Sequence, residues 1–401
     1  MTRSIPTMRV LVLHSELGVL RGGGENVTRH LFPAFAARGH HVAAAFTADW
    51  RGRFPLPLPR AIEPLPVRGW WFRTLGQGAL SSMSRHLARV PSCRPAVERI
   101  QESLGWRTFA WHKRRFRGRV ERLFAGRWHE FDAVYVHGDV ILASRVALHR
   151  PTLLRLPGPV AREYAPQLRT VHAVCANGDV LIRTRAFLGD HVVELPLGLD
   201  TRTFAPGLSD IRPRLAWDDA HCVIGYVGRL TRLKGIDLLA AAFREVVRDA
   251  PDARLLIVGS GVEEHYVRGV LAPECAAGLV HIERAVEHDQ LPSWYRAMNL
   301  MVIPSRYENH SNALLEAMAC GVPFLASDVG GNRKFAEAGG GWLVEGDSVP
   351  ALTQSLHRLL RRRADLKASG DTGARLARDH QSWTASAERL ESIIETRLGR
   401  R

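Results

Sequence analysis

Short apolar runs alternate with longer segments of helical periodicity along most of the chain. The apolar runs are rich in valine, isoleucine and leucine and alternate little with polar residues, which is typical of strands buried on both faces of a parallel sheet. The pattern predicts strands over residues 8–13, 41–46, 131–136, 152–156, 172–176, 192–195, 222–227, 254–258, 281–283, 300–303 and 324–327.

Segments of helical periodicity follow many of these strands. The alternation argues for two doubly wound, Rossmann-like α/β domains that face one another across a cleft. A chain of 401 residues is long for one core and comfortable for two. The predicted N-terminal domain covers 1–205, and the predicted C-terminal domain covers 206–380. Helices are predicted over 26–38, 236–249, 311–320 and 382–398, and from an Asp289 cap to Ala297.

Composition narrows the class of protein. The five cysteines are widely spaced and form no Cys-x-x-Cys pair, so we interpret them as reduced core thiols and not as zinc ligands or disulfides. No apolar run reaches the ~18–20 residues of a spanning helix, and no leader peptide is visible. We therefore expect a cytoplasmic protein, which could be peripheral on the inner face of the membrane.

The formal net charge of +15 is concentrated between residues 51 and 127. This segment combines prolines, large aromatic residues and arginines, which favours an anionic membrane surface or acceptor as its partner. Packing of the segment on its own domain is the competing interpretation, and nucleic acid is the least favoured partner. The residues that we assign to the membrane or acceptor surface are Trp70, Trp71, Trp111, Arg114, Arg115 and Arg117.

A strand, a polar loop and a helix follow one another over residues 300–320. Glu308 lies in the loop and Glu316 lies in the helix, whose N-terminus offers N–H groups to an anion. Two carboxylates beside an anion site predict a hydroxyl-rich ligand that carries phosphate. A solvated helix face is the alternative explanation for the two glutamates.

Other strand ends also carry residues suited to ligand binding. Arg229 and Lys234 lie in a strand-to-helix loop, where cations can meet phosphates. His137 ends a predicted strand, although a buried structural histidine would fit the same position. Glycines that permit close backbone approach occur in two turns, one at Gly22–Gly24 and the other at Gly259.

Taken together, these motifs resemble the large retaining family 4 of GT-B glycosyltransferases. The resemblance rests on the two glutamates with seven residues between them, on Ala-Met-Ala-Cys-Gly-Val-Pro after Glu316, and on Gly-Arg before Lys234-Gly. It covers nearly all of the second half of the chain, but the first half only at residues 22–25 and around His137. It implies that residues 381–401 contain a helix that crosses back to the N-terminal domain.

The resemblance also implies roles for individual residues. Glu308 would hold sugar hydroxyls, Glu316 the ribose diol, and Arg229 with Lys234 the diphosphate. The residues implied as catalytic are Arg229, Lys234, Glu308 and His137. The residues implied to bind the donor are Gly23, Gly24, Gly259, Val286, Asn309, Ser311, Asn312, Ala313 and Glu316.

No metal or other cofactor is expected. Metal-using transferases hold the diphosphate through an Asp-x-Asp pair, and no two aspartates of this chain are spaced in that way. The charge of the leaving diphosphate must then be neutralised by side chains and by a helix N-terminus. One departure from the family is Lys334, which stands where many relatives carry a glutamate, and it leaves the choice of donor open.

The expected activity is therefore retaining, metal-independent transfer of a sugar from a nucleoside-diphosphate donor to an acceptor hydroxyl. The favoured acceptor is a lipid-linked or cell-surface polysaccharide or glycolipid precursor, and a soluble acceptor stays open. The alternatives are a non-catalytic membrane or nucleic-acid adaptor on the same scaffold, and a phosphorylase or epimerase of similar fold. The sequence does not specify the sugar, the nucleotide base, the acceptor or the oligomeric state.

Overall fold

The computed structural model describes residues 6–17, 23–49, 51–54, 56–68 and 110–398. The described chain divides into two compact units. The first unit takes the described residues of Met1–Ala176, Thr184–Glu194 and Ala387–Arg401. The second unit takes Asn177–Arg183 and Leu195–Ser386.

The first unit contains a parallel sheet, built in the described residues from seven strands. They are β1 (Arg9–Leu13), β2 (His41–Ala48), β3 (Glu63–Arg68), β4 (Ala133–His137), β5 (Thr152–Arg155), β6 (Ala173–Ala176) and β7 (Val192–Glu194). Their spatial order is β3-β2-β1-β4-β5-β6-β7, so the order reverses between β1 and β4. The apolar side chains of β1 and β4 are fully buried, as continuous apolar runs predict.

Strand β3 was not predicted from the sequence, because it lies in the segment 51–127, where prolines are frequent. The strand carries Pro64 and Pro66 and pairs in parallel with β2, where Ala44 faces Pro64 and Phe46 faces Pro66. Proline has no backbone N–H to donate to a neighbouring strand, so within sheets it is confined mainly to edge strands. Within the described sheet β3 is the outermost strand, which is the position that tolerates both prolines.

The helices of the first unit lie mostly between its strands. Asp139 caps the helix that follows β4, because its side chain accepts a hydrogen bond of 3.0 Å from the N–H of Leu142. The helices are α1 (Gly23–Ala36), α2 (110–123), α3 (Val140–Val146) and α4 (Ala165–Thr170), with 3₁₀ turns at Trp128–Glu130, Arg162–Tyr164 and Gly189–His191. Helix α5 (Gly178–Leu188) begins in the second unit and ends in the first.

The second unit repeats the same design with six parallel strands in the described residues. They are β8 (Cys222–Val227), β9 (Ala253–Val258), β10 (Val280–Glu283), β11 (Leu300–Ile303), β12 (Phe324–Ser327) and β13 (Gly341–Val344). The order β10-β9-β8-β11-β12-β13 is that of a doubly wound nucleotide-binding sheet. The prediction of parallel α/β sheets in both halves is confirmed, although β13 was not predicted.

Amphipathic helices cover this second core. Helix α7 buries Leu239, Phe243 and Val246, which recur at helical spacing, against the sheet residues of the same core. The helices are α6 (Ile211–Arg214), α7 (Ile236–Asp249), α8 (Glu264–Val270), α9 (Ala272–Ala276), α10 (Leu291–Arg296), α11 (Asn312–Ala319), α12 (Asn332–Glu337), α13 (Val349–Leu360) and α14 (Arg363–His380), with a 3₁₀ turn at Arg232–Lys234. Helix α10 begins at Leu291, after Gln290, so Asp289 is not its cap.

The last helix, α15 (Trp383–Leu398), belongs to the first unit from Ala387 onward. Glu391 is buried there and accepts hydrogen bonds from Arg38, at 2.7 and 2.8 Å, and from His40, at 2.7 Å. The N–H of Met8 donates to His40 Nδ1, so the proton of the neutral ring lies on Nε2 and points to Glu391. This cluster fastens the end of the chain to the first unit.

Within the described ranges, no helix combines the length and the apolar character that a membrane crossing requires.

Candidate functional site

Each sheet reverses its strand order at one point, and polar side chains collect there. The reversal lies between β1 and β4 in the first unit and between β8 and β11 in the second. Ligands of open α/β sheets bind outside the carboxyl ends of the strands at such points. His137 ends β4, Lys234 follows β8 and Glu308 follows β11. Predicted site residues therefore lie at the reversal in both units.

In the second unit, Lys234 and Glu308 form an ion pair, with 2.5 Å between Lys234 Nζ and Glu308 Oε2. Glu308 is buried, whereas Lys234 is half-buried at the end of a 3₁₀ turn. Gly235 follows with φ of +70°, and a Cβ at that position would lie 1.8 Å from the carbonyl oxygen of Pro304. Only glycine fits there, because both the backbone angle and the contact exclude a side chain.

Arg306 holds the two loops of this ion pair together, a role that the sequence analysis did not assign. Its N–H donates to the carbonyl of Leu233 at 2.9 Å. Its guanidinium binds both oxygens of Asp237, at 2.8 and 2.9 Å, and one oxygen of Asp347 at 2.7 Å. A bidentate arginine–carboxylate contact fixes orientation as well as distance. Arg306 thus positions the Lys234 turn against the loop that carries Glu308.

Glu316 is buried in α11, and both of its carboxylate oxygens have partners. His288 Nε2 lies 3.0 Å from Oε1, and the hydroxyl of Tyr295 donates to Oε2 at 2.8 Å. The hydrogen bond to Glu316 raises the pKa of His288, and burial raises the pKa of Tyr295 well above its usual value. Each carboxylate oxygen keeps a second lone pair for a ligand hydroxyl.

Sequence reasoning missed His288 and Tyr295, because their contact with Glu316 joins residues far apart in the chain. The only signal was the resemblance of the loop near Val286, which is half-buried between β10 and α10, to a base-contacting loop.

The start of α11 has the predicted form. Ser311 is the N-cap, and its hydroxyl accepts a hydrogen bond of 3.3 Å from the N–H of Leu314. Asn312 and Ala313 are half-buried in the first turn. The carboxamide of Asn309 accepts from the N–H of Val180 at 3.1 Å, so one face of this side chain serves a helix of the same unit.

Glycines shape the loops around the ion pair. At Gly330, φ is +59° and a Cβ would lie 2.0 Å from the carbonyl oxygen of Glu308. At Gly259, a Cβ would lie 1.9 Å from the carbonyl oxygen of Gly228, next to Arg229. Arg229 itself is exposed, and its carbonyl accepts a hydrogen bond of 2.7 Å from the hydroxyl of Tyr226. The guanidinium of Arg229 is therefore available to a ligand in water.

In the first unit, the ring of His137 stacks on that of His14, with 4.0 Å between their centroids. Gly23 begins α1, and a Cβ on Gly24 would lie 2.7 Å from His137 Nε2. Burial lowers the pKa of both histidines well below the usual value, and the positive charge of Lys113 acts in the same direction. Both rings are therefore neutral at neutral pH.

Helix α2 divides the predicted basic segment into two faces. Lys113 and Phe116 are buried, and Arg117 Nε donates to both oxygens of Asp139 at 2.9 Å. Arg114 and Arg115 are exposed, and the guanidinium of Arg115 lies 4.0 Å from the centre of the Trp111 ring. Arg117 thus points to the unit's own core, whereas Trp111 and its arginine neighbours face outward. Trp70 and Trp71 lie outside the described residues.

Residues 221–362 match the family model described as glycosyl transferases group 1. We call this stretch the group 1 segment, and it lies within the second unit. The group 1 segment contains Lys234, Glu308 and Glu316, together with their partners Arg306 and Tyr295.

Curated relatives share about a third of the aligned residues with this chain. A GDP-mannose-dependent monoacylated alpha-(1-6)-phosphatidylinositol monomannoside mannosyltransferase of Corynebacterium glutamicum is 32% identical over 213 residues, which are 50% of this chain and 55% of that protein. A D-inositol 3-phosphate glycosyltransferase of Segniliparus rotundus is 34% identical over 202 residues, 49% of this chain and 45% of that protein. The chain spans about half the length of these relatives.

Among solved structures, the Anabaena protein HepE in complex with UDP and glucose has a TM-score of 0.67 at 15% identity. The comparison covers 97% of this chain and 100% of that one. At this level of identity the likeness establishes the fold, which is that of GT-B glycosyltransferases.

Arg306 provides a first prediction for the group 1 segment. Because a misplacement of about 1 Å can cost about 10²-fold in rate, we expect Arg306→Ala to lower by about tenfold any turnover that depends on the Lys234–Glu308 pair. Arg306→Lys keeps the charge but not the two-pronged contact with Asp237, so it should recover only part of the loss. Steady-state kinetics measure both variants.

The control for Arg306 is Arg244→Ala, which removes an arginine whose side chain is 43% exposed and whose partner is Glu274. Unchanged turnover in Arg306→Ala would contradict the positioning role.

The two neutral histidines give a second prediction, on pH. Below about pH 6.5 the unfolded chain takes up protons on His14 and His137, whereas the folded chain does not, so stability falls as pH falls. The free energy of unfolding should drop by about 1.5 kcal/mol from these groups between about pH 7.5 and 6. Denaturant unfolding measures this slope.

The loss of unfolding free energy between about pH 7.5 and 6 should be smaller in His14→Gln than in the native chain. It should be unchanged in His265→Gln, because His265 is exposed. Equal slopes in the native chain and in His14→Gln would show that His14 is not buried in its neutral form.

Proposed function

We propose that this protein is a GT-B glycosyltransferase that moves a sugar from a nucleoside-diphosphate donor to a hydroxyl of an acceptor, without a metal ion and with retention at the anomeric carbon. The observation that carries the proposal is the Lys234–Glu308 pair, 2.5 Å apart at the strand reversal of the group 1 segment. The relatives that share this segment are named as glycosyltransferases.

The charges of the second unit fit the chemistry of donor cleavage. When the bond between the anomeric carbon and the diphosphate breaks, the electron pair leaves with the diphosphate. Lys234, Arg229 and the N-terminus of α11 supply positive charge for that group. Protein cations in these positions make a divalent metal unnecessary for the proposed reaction.

The carboxylates have distinct proposed partners. Glu308 would accept hydrogen bonds from sugar hydroxyls, and Lys234 holds it in place. Glu316 would accept hydrogen bonds from the two ribose hydroxyls, through the lone pairs that His288 and Tyr295 do not use. His137 belongs to the first unit, and we propose a catalytic role for it, as the family resemblance implies.

The experiment is a panel of UDP- and GDP-linked sugars, with release of the nucleoside diphosphate as the readout. The panel includes GDP-mannose, which is in the name of the Corynebacterium relative, and UDP-glucose, which is bound in another HepE structure. We expect turnover of at least one donor in excess chelator. NMR of the product should show the same anomeric configuration as in the donor. A need for divalent metal or an inverted product would refute those parts of the proposal.

For the acceptor, we propose a lipid-linked precursor at an anionic membrane surface. The relatives permit more than one acceptor class, since one is named for a phosphatidylinositol mannoside and the other for D-inositol 3-phosphate. The outer face of α2 favours the lipid. It exposes Trp111 beside several arginines. The pKa of Arg119 is lowered mainly by burial, and also by the positive charges of Arg115 and Arg122. These arginines repel one another, and binding to an anionic surface lowers the electrostatic energy of the cluster.

Vesicle co-sedimentation gives a third prediction. Each arginine near an anionic bilayer contributes about 1 kcal/mol, so replacing the outer arginines with glutamine should weaken binding at least about tenfold. Binding of the native chain should also fall as salt rises. The replaced residues are Arg114, Arg115, Arg119 and Arg122, and Arg117 is kept because Asp139 binds it.

A charge-matched control removes four exposed arginines of the second unit, Arg358, Arg361, Arg362 and Arg375. The outer face of α2 is not a membrane surface if the native chain does not bind anionic vesicles at low salt. The same conclusion follows if the α2 variant and the control variant lose binding equally.

A further inference from the structure

The carboxylate of Glu316 is held by two side chains that come from another part of the second unit. Tyr295 lies in α10 and His288 lies in the loop before it, whereas Glu316 lies in α11. Glu316 is 7% exposed, and Tyr295 is fully buried. The contacts of 3.0 Å from His288 and 2.8 Å from Tyr295 therefore hold a buried carboxylate, not a surface one.

Hydrogen-bond chemistry sets the direction of both contacts. An ionised carboxylate can only accept hydrogen bonds, so Nε2 of His288 and the hydroxyl of Tyr295 must both donate. The hydrogen bond to Glu316 is the main cause of the raised pKa of His288, which agrees with donation from that ring. Each oxygen of the Glu316 carboxylate thus has one donor supplied by the protein.

The ring of Phe204 packs against both donors. It is 1% exposed, and its centroid lies 5.0 Å from that of His288 and 6.1 Å from that of Tyr295. Tilted and edge-to-face ring contacts at these distances are favourable, and they restrict the orientation of the rings. His288 is held in this way although 46% of its side chain is exposed. The two donors therefore act on Glu316 from fixed positions.

A carboxylate held like this has two acceptor positions left, one on each oxygen. The neighbouring 2′- and 3′-hydroxyls of a ribose can supply two donors at once. A sugar without the 2′-hydroxyl would leave one lone pair of a buried, charged group without a partner, and sites of this kind reject such analogues strongly. The geometry around Glu316 therefore favours a ribose over a 2′-deoxyribose.

We propose that His288 and Tyr295 make the donor site selective for ribonucleotides, because they hold Glu316 in a position that rejects nucleotides without a 2′-hydroxyl. Both are positioning residues, since they act on the ligand through Glu316. The proposal rests on the proposed function, in which Glu316 meets the ribose hydroxyls, and it names the donor class. That class is a sugar linked to a ribonucleoside diphosphate such as UDP or GDP, and not to a deoxyribonucleoside diphosphate such as dTDP.

Binding of matched nucleotide pairs to the full chain tests the proposal. The pairs are UDP with dUDP and GDP with dGDP, titrated by calorimetry, and the members of each pair differ only in the 2′-hydroxyl. We expect the native chain to bind the ribonucleotide of at least one pair about 10- to 100-fold more tightly than its deoxy counterpart. This is the range for one hydrogen bond to a charged acceptor.

Three variants test the role of the two donors. His288→Ala and Tyr295→Phe each remove one donor, and the released carboxylate oxygen can then turn to water. Each variant should reduce the preference for the ribonucleotide by about three- to tenfold. His288→Gln keeps an N–H donor and should retain the native preference. A merely structural role would weaken both members of a pair equally and leave their ratio unchanged.

Matched controls come from α8, where His265 and Tyr266 are both exposed. His265→Ala and Tyr266→Phe make the same chemical changes away from Glu316, and they should leave both affinities as in the native chain. Thermal unfolding of every variant shows that it is folded.

Two results would overturn the proposal. The native chain could bind the two members of each pair equally well. Alternatively, folded His288→Ala and Tyr295→Phe could both keep the native preference for the ribonucleotide, in which case Glu316 needs neither donor.

Release of nucleoside diphosphate from sugar nucleotides, measured on the same samples, separates this inference from the proposed function. Turnover by a native chain that shows no preference for the ribonucleotide would refute the inference alone. If the chain neither bound nor turned over any nucleotide, the proposed function would fail and the inference would fail with it.

Discussion

Replacement of Lys234 by alanine is expected to slow sugar transfer by about 10²- to 10³-fold. The ammonium group lies at the strand reversal of the second unit, 2.5 Å from Glu308, and 22% of its side chain is exposed. In the proposed function, a cation fixed there would meet the negative charge that appears on the diphosphate as the glycosidic bond breaks. Affinity for the bare nucleoside should change little, because that ligand carries no diphosphate.

Turnover and nucleoside binding are measured on the same preparation of Lys234→Ala, with thermal unfolding to show that the variant is folded. Lys367→Ala is the matched control, since this lysine is 82% exposed and pairs only at the surface with Asp371. Arg229→Ala should show a loss of similar size. Near-native turnover in a folded Lys234 variant would remove the diphosphate role from this residue.

Replacement of Glu391 by alanine is expected to lower the free energy of unfolding by about 3 kcal/mol. The carboxylate of Glu391 is 3% exposed and binds both Arg38 and His40, whose ring is 1% exposed. Without it, the buried N–H of His40 loses its acceptor, and the guanidinium of Arg38 keeps only the exposed Glu388. Burial acts to raise the pKa of Glu391, but hydrogen bonds from Arg38 and His40 lower it overall. This stabilisation is therefore present above the usual carboxyl pKa and is lost as pH falls.

Glu388→Ala is the control, because Glu388 binds the same Arg38 at 2.9 Å but is 56% exposed. An exposed ion pair contributes about 0–1 kcal/mol, so denaturant unfolding should separate the two variants clearly. Equal losses would mean that burial of Glu391 adds nothing, and that the end of α15 is held to the first unit by apolar contacts.

The core of the fold was predictable because its strands are buried on both faces. A parallel strand such as β8 or β11 is apolar at every position, so its bounds can be found from the sequence without knowing its neighbours. Strand β13 was missed because Gly341 and Trp342 resemble a turn as much as a strand, and these residues are only half-buried. Local pattern does not reveal pairing with β12, which is what makes this segment a strand.

Site residues that lie at strand ends were predictable for a similar reason, since position in a doubly wound fold follows from order in the chain. Partners that come from another element were not. Tyr295 reaches Glu316 from α10, and Arg306 reaches Asp237 from a loop. Lys113 lies in the segment that was predicted as a basic surface, although the helical period of α2 turns it inward with Phe116. Which face of a helix is buried depends on tertiary packing.

The two prolines of β3 also affect whether the edge of the sheet can pair with another molecule. Pro64 and Pro66 lie two residues apart, so their ring nitrogens point to the same side of the strand. The ladder to β2 occupies the other side, and the outer side therefore lacks an amide hydrogen at two successive positions. A strand from a second molecule cannot form a regular ladder there. In the described sheet, the prolines therefore disfavour pairing of this edge with another chain, which lowers its tendency to aggregate.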